Sequence, residues 1–157
     1  MKQHEEFLKQ TIDMASGNAG RGFGGPFGAL VVKDNKIIGR GVNLVTKNND
    51  PTAHAEILAI RDACKNLNTY RLENCIIYSS CEPCPMCLGA IYWSRAKMII
   101  FAAMHKDAAK AGFDDSFLYE EINLPVDKRS IKTIQIKPDN YFKPFKEWLE
   151  NENKTEY

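Results

Sequence analysis

In the stretch SSCEPCPMC, Cys81, Cys84 and Cys87 are spaced three apart, so two overlapping C-x-x-C pairs compete for one metal, and only three histidines exist to join them. Thiolate sulfur and imidazole nitrogen are the usual ligands of zinc. His4 falls in a terminal segment expected to be mobile, and His105 just beyond a strand among Ala and Lys. His54 opens a helical stretch, with Glu56 two residues on, so a nitrogen ligand and a carboxylate can both point beyond one helix end. Cys84 and Cys87 lie one helical turn apart, and Pro83 and Pro85 set a helix start whose dipole favours thiolates. Two such helix N-termini, meeting at one edge of a sheet, would supply His54, Cys84 and Cys87 as ligands and leave a fourth position for water.

Three other readings compete for the same residues. A closed structural zinc site would add Cys81, but Cys81 belongs to a strand end, and such a site has no use for Glu56. An iron–sulfur cluster would need a fourth cysteine, and Cys64 and Cys75 read as small buried apolar residues. A thioredoxin-like redox pair leaves the HAE segment unexplained.

The elements that must position these residues follow from apolar spacing. Leu8, Ile12 and Ala15 recur at helical spacing and predict a first helix, ended by GNAGRGFGGPFG. ALVV and IIGRGVNLV, separated by KDNK, predict two strands in a hairpin turning at Asp34-Asn35. AHAEILAIRDACKNL predicts a second helix, NCIIYSS a strand, CPMCLGAIYWSR a helix after its prolines, and KMIIFAA a strand. The continuous apolar runs suggest strands buried on both faces. DDSFLYEEI predicts a helix, SIKTIQIK a fifth strand by its alternation, and DNYFKPFKEWLENENK a last helix. The alternation of types predicts an α/β fold, with a mixed five-stranded sheet between helices, in a single domain spanning residues 1–157. Gly20, Gly22 and Gly25 have G-x-G-x-x-G spacing but follow a helix and lead into a strand, which is the wrong context for a dinucleotide and reads as a flexible loop beside the pocket mouth.

Composition excludes several classes. With 44% hydrophobic and 26% charged residues, the 157-residue chain reads as an ordinary globular protein rather than a disordered or disulfide-built one. No apolar run reaches the roughly 20 residues that span a bilayer, and no secretory signal opens the chain, so no membrane partner and a cytoplasmic location are expected. A net charge of +1 without a basic run gives no signal for nucleic acid.

H-x-E followed by P-C-x-x-C, here His54-Ala55-Glu56 and Pro83-Cys84-Pro85-Met86-Cys87, is the signature of zinc nucleobase deaminases. A bound zinc lowers the pKa of its water to about 7, and a carboxylate that does not bind the metal can carry that proton to the ring and the leaving nitrogen. Glu56 takes that role, and the reaction class is hydrolytic release of an exocyclic amine as ammonia.

Through GGPFGA, NDPTAHAE, SCEPCPMCLGAIYW, AGFDDSF and the terminal EY, nearly the whole chain resembles bacterial guanine deaminases of the cytidine-deaminase superfamily. The resemblance implies a three-layer α/β/α fold, one zinc per subunit and hydrolysis of guanine to xanthine. It also implies a homodimer in which the C-terminal segment, about 138–157, exchanges between subunits. Residue by residue it maps purine hydrogen bonding onto Asn43, packing on the base onto Phe27, substrate contact and proton relay onto Asp115, and pocket closure onto Tyr157. Ala55 and Trp93 join the substrate-side candidates.

Guanine presents an N–H donor on its pyrimidine edge, where adenine has a bare nitrogen, so a buried Asp115 would select guanine. Asp115 also suits a helix N-cap before SFLYEE, a role that Asp114 could take instead. Asn43 suits a strand-end turn, and Phe27 and Trp93 suit the core. Competing functions are a tRNA adenosine deaminase, a deaminase of another heterocycle, and a non-catalytic zinc-binding domain. The first would need a basic groove that this charge distribution does not supply.

Overall fold

A computed structural model describes all 157 residues. Its order is α1 (Lys2–Gly20), β1 (Gly28–Lys33), β2 (Lys36–Val42), α2 (Val45–Asn48), α3 (Ala55–Leu67), β3 (Ile76–Cys81), α4 (Pro85–Trp93), β4 (Met98–Ala103), α5 (His105–Lys110), α6 (Ser116–Asn123), a 3-10 turn (Val126–Lys128) and α7 (Lys143–Glu150). Residues 1–119 and 120–157 form two compact units.

In the first unit the strands line up in the order β2-β1-β3-β4. β1 is antiparallel to both β2 and β3, and β3 is parallel to β4. The β1–β2 hairpin turns through Asp34 and Asn35, both at positive φ (47° and 61°), which is the two-residue turn whose twist matches the strands it joins. Alternation along β1 divides the core. Ala29 and Val31 face α3 and α4 through Ala55, Ala59, Ala63 and Ile91, whereas Leu30 and Val32 face α1 through Phe7, with Tyr78 of β3 beside them. Helices therefore cover both faces, giving an α/β sheet in three layers. Gly41 of β2 lets α3 lie against the strand, because a side chain there would collide with the carbonyl of Ala55 at the start of α3.

Four expectations are corrected. The sheet has four strands, not five. Residues 130–137 form no strand, and Ile131, Ile134 and Ile136 are exposed. Alternation shows that a segment could present an apolar face, but a strand also needs a neighbouring edge to pair with, which is a long-range matter. β4, at the sheet edge, is only half-buried despite its continuous apolar run. The second strand ends at Val42, and residues 45–48 make a short helix instead. His4 is not in a loose terminus: it lies in α1, and its Nδ1 is 2.7 Å from the Tyr78 hydroxyl, which anchors the helix to the buried centre of the sheet. No helix is long and apolar enough to cross a membrane.

Candidate active site

β2, β3 and β4 point the same way, and the chain segments leaving their carboxyl ends carry His54, Cys84 and His105. Cavities at the carboxyl edge of such a sheet are the usual ligand sites of α/β folds. The first two residues are placed alike. His54 is the N-cap of α3 (φ −72°, ψ 156°) and Cys84 the N-cap of α4 (φ −64°, ψ 166°). Neither side chain caps its own helix, so both are free for another partner. Pro85 occupies the first helical position of α4, where its missing N–H costs nothing, and puts Cys87 in the same turn. The loop before α3 is pinned by Asp50, whose Oδ1 accepts from the Thr52 backbone N–H (2.8 Å) and hydroxyl (2.7 Å).

The ligating atoms of His54, Cys84 and Cys87 lie within 4.8 Å of one another. His54 Nδ1 is 3.6 Å from Cys84 Sγ and 3.5 Å from Cys87 Sγ. In a tetrahedral zinc site, bonds of about 2.3 Å to sulfur and 2.0–2.1 Å to nitrogen separate S from N by about 3.6 Å. Both S–N separations thus match the edges of such a tetrahedron. Their electrostatics are uneven: Cys84 ionises readily, whereas its hydrogen bond and burial push the Cys87 thiol well up. The Cys87 thiol and the His54 ring hold the Cys84 thiol down at about 4, and that hydrogen bond to Cys84 raises the His54 imidazole. Two helix N-termini add partial positive charge at the thiolates. Cys81 is absent from this trio. It is buried, burial pushes its thiol up to about 11, and its Sγ contacts the Met104 carbonyl at 3.7 Å, which leaves a three-ligand set and not a closed four-ligand one.

Glu56, in the first turn of α3, is 7% exposed. Its Oε1 accepts from Ser79 Oγ (3.1 Å) and its Oε2 from Cys87 Sγ (3.4 Å). Burial raises its proton affinity above that of an ordinary carboxylate. It is a buried carboxyl that holds a proton more readily than an exposed one, beside the three donors.

A cavity of about 300 Å³ opens over these groups, and Phe27, Asn43, His54, Glu56, Cys84 and Asp115 are among its walls. Asn43 is buried, and its Oδ1 accepts from the backbone N–H groups of Gly25 (3.2 Å) and Val45 (3.3 Å). Two donors on one atom identify it as oxygen, so the Nδ2 amine is the end available to the cavity. The choice between the neighbouring aspartates is made by the backbone: Asp114 Oδ1 accepts from the Ser116 N–H at the start of α6 (2.9 Å), which lowers its carboxyl. Asp115 is released from capping. Burial raises its carboxyl, and the nearby Cys84 sulfur acts in the same direction. Phe27 meets Phe113 edge to face at 5.0 Å along the wall. Ala55, fully buried, packs its methyl into the core while its N–H falls among the first of α3, which have no partner within the helix.

Two candidates stand elsewhere. Trp93 ends α4, at the opposite end of the helix from Cys84, is 63% exposed, and lies under the Arg95 guanidinium at 5.6 Å; it does not line this cavity. Tyr157 belongs to the second unit and is 70% exposed. The structure also adds residues that local pattern did not single out. Ser79 reaches Glu56 from β3, where strand alternation marks it as inward-facing but nothing marks its partner. His105, set aside on sequence, lines the cavity, and its backbone N–H donates to Glu82 Oε2 at 3.1 Å, tying α5 to the loop that carries the cysteines. Phe113 lies in AGFDDSF beside Asp115, but only its ring contact with Phe27 reveals its place.

The chain belongs to the cytidine and deoxycytidylate deaminase family: its residues 1–103 match that family's zinc-binding region. Over 154 residues it is 55% identical to guanine deaminase of Bacillus subtilis (strain 168), covering 98% of this chain and 99% of that protein. An X-ray structure of guanine deaminase from Bacillus subtilis superposes with a TM-score of 0.96 at 55% identity, over 98% of each chain. A tRNA-specific adenosine deaminase of Buchnera aphidicola subsp. Schizaphis graminum is 47% identical over 107 residues, covering 68% of this chain and 69% of that protein.

Proposed function

We propose that this chain is a zinc-dependent guanine deaminase, converting guanine and water to xanthine and ammonia. The observation that carries the substrate is the 55% identity to a guanine deaminase along the full length of both chains, which is joined in the cavity by an unspent carboxylate and an amide donor. One zinc per subunit, held by His54, Cys84 and Cys87, would supply a water acidified to a pKa of about 7.

Glu56 would take one proton from that water and pass it to the ring nitrogen, then take the second from the newly added hydroxyl and pass it to the amine that leaves as ammonia, so one carboxylate serves in turn as base and acid. Its elevated proton affinity supports this, because a shuttle must hold the proton between the two steps. Asp115 accepts from the N–H donors on the pyrimidine edge of guanine, and being near Cys84 it can also help relay a proton to the leaving nitrogen. Asn43 donates through Nδ2 to an acceptor of the purine, Phe27 packs on the base, and the N–H of Ala55 offers a further donor at the end of α3. The proposed enzyme acts in the cytoplasm, where its five cysteines stay reduced. It acts as a homodimer, with residues of the C-terminal segment exchanged between subunits and Tyr157 closing a pocket. Ile131 and Ile136, each 80% exposed in the single chain, together with Phe145, support such cover.

Ammonia release by zinc-loaded protein from guanine, guanosine, adenine, cytosine and an adenosine-containing tRNA anticodon stem tests the reading. Release from guanine is expected, and release from the RNA alone would move the activity to tRNA editing.

A further inference from the structure

Asn18, in the last turn of α1, is a polar side chain buried to 4% exposure, and its amide donates to two backbone carbonyls, one in the α1–β1 loop and one just after β2. Nδ2 donates to the Asn43 carbonyl at 2.7 Å and to the Gly25 carbonyl at 3.0 Å. Asn43 in turn accepts the Gly25 N–H on Oδ1, and its own N–H donates to the Phe27 carbonyl at 3.1 Å. The three residues therefore close a ring of hydrogen bonds. The Asn43 Oδ1 is taken up by the Gly25 and Val45 N–H groups, and its Nδ2 amide group is the end left for the cavity that Asn43 lines. Gly24 seals the same ring from the other side, since a Cβ there would collide with the Asn43 carbonyl and come within 2.8 Å of its Oδ1. Gly24 thus serves close packing against Asn43, whereas Gly20 and Gly22 face open space.

We propose that Asn18 is a positioning residue for guanine binding: through the Asn43 and Gly25 carbonyls it fixes the height and direction of the Asn43 amide. This rests on the guanine reading and on the substrate role of Asn43. The physical reason is that a hydrogen-bonding group held about 1 Å off can cost up to about a hundredfold in rate. α1 is a long helix anchored on the sheet, so it offers a rigid reference that the loop alone lacks. Two carbonyl oxygens converging on one side chain require donors, which a carboxylate does not have and an aliphatic side chain cannot supply.

The test is a double-mutant cycle on kcat/KM for guanine with Asn18→Ala, Asn43→Ala and the pair, with zinc content measured for each. If Asn18 acts through Asn43, Asn18→Ala should lower kcat/KM about tenfold, chiefly by raising KM, with zinc retained. In the Asn43→Ala background the same change should then cost less than about twofold, because the group it positions is gone. Equal losses in both backgrounds, or a loss of zinc in step with activity, would show a merely structural role and overturn the proposal. If Asn18→Ala does not fold, Gly24→Ala, which pushes on the same carbonyl, takes its place in the cycle under the same criteria. Wild-type protein that releases no ammonia from guanine would remove the guanine reading and the positioning role together. An active wild type with additive losses removes the positioning role alone.

Discussion

Glu56→Gln separates the proton shuttle from everything else Glu56 does. Glutamine has nearly the shape of glutamate, and its amide oxygen can keep the 3.1 Å hydrogen bond from Ser79. The nitrogen then faces the Cys87 sulfur, to which it can donate where the carboxylate oxygen had accepted at 3.4 Å. Burial already disfavours the charged form of Glu56, so a neutral amide removes a desolvation cost and should not unfold the protein. The structural share of the effect is therefore about 1 kcal/mol, the net worth of one hydrogen bond. The chemical share is much larger, because the same group must take a proton and return it. General acid–base catalysis is worth about 10²–10⁴-fold for such a step. A loss of about 10³-fold in kcat corresponds to about 4 kcal/mol of barrier, well above the structural share. The assay is steady-state ammonia release from guanine, with zinc content and thermal unfolding measured on the same preparation. The expected variant is folded, zinc-loaded and at least about 10³-fold slower. Turnover within about tenfold of wild type, with zinc present, would refute the shuttle and assign Glu56 a structural task.

Thiol chemistry tests the ligand set. After zinc is removed with a chelator, iodoacetamide should label Cys84 and spare Cys81, because their thiols lie at about 4 and about 11. Labelling of Cys84 should persist from pH 7 to 5.5, while an ordinary thiol with a pKa near 8.5 loses about 30-fold of its thiolate over that range. The sign follows from a thiol held below its usual value, which keeps its thiolate until the pH falls to about 4. Zinc reloading should protect Cys84, and mass mapping of the labelled peptides reads all three outcomes; labelling that falls with pH as in a free thiol would argue against the hydrogen bonding of Cys84 with Cys87 and His54. Deleting residues 152–157 should lower turnover on guanine at least about tenfold if Tyr157 closes a pocket, with zinc content unchanged. Unaltered kinetics would remove Tyr157 from the site.

What could be read from the sequence was short-range. The helix starts before Glu56 and Cys87, the turn at Asp34-Asn35, and the i, i+3 spacing of Cys84 and Cys87 are set by neighbours within a few residues, so residue type and spacing identify them. The metal trio was legible for the same reason: two helix N-termini, each just after a strand or loop, place ligands by local backbone geometry. The division of labour between Asp114 and Asp115 was not legible, since both residues fit both tasks. Both aspartates line the cavity, and what separates them is the Ser116 N–H, which Asp114 accepts. The fifth strand shows the limit most plainly. SIKTIQIK alternates as a strand should, but strand formation is completed by hydrogen bonds to another segment, and the sheet closes with four. Ser79 on Glu56, His105 on the cavity wall and Asn18 beneath Asn43 are separated from their targets by 23 residues or more where bonds are formed. Such contacts depend on how α1, the strands and the loops pack in three dimensions, and that packing has no local sequence signal. The sequence by itself determined the chemistry available to this protein, and the tertiary structure decided which groups meet to perform it.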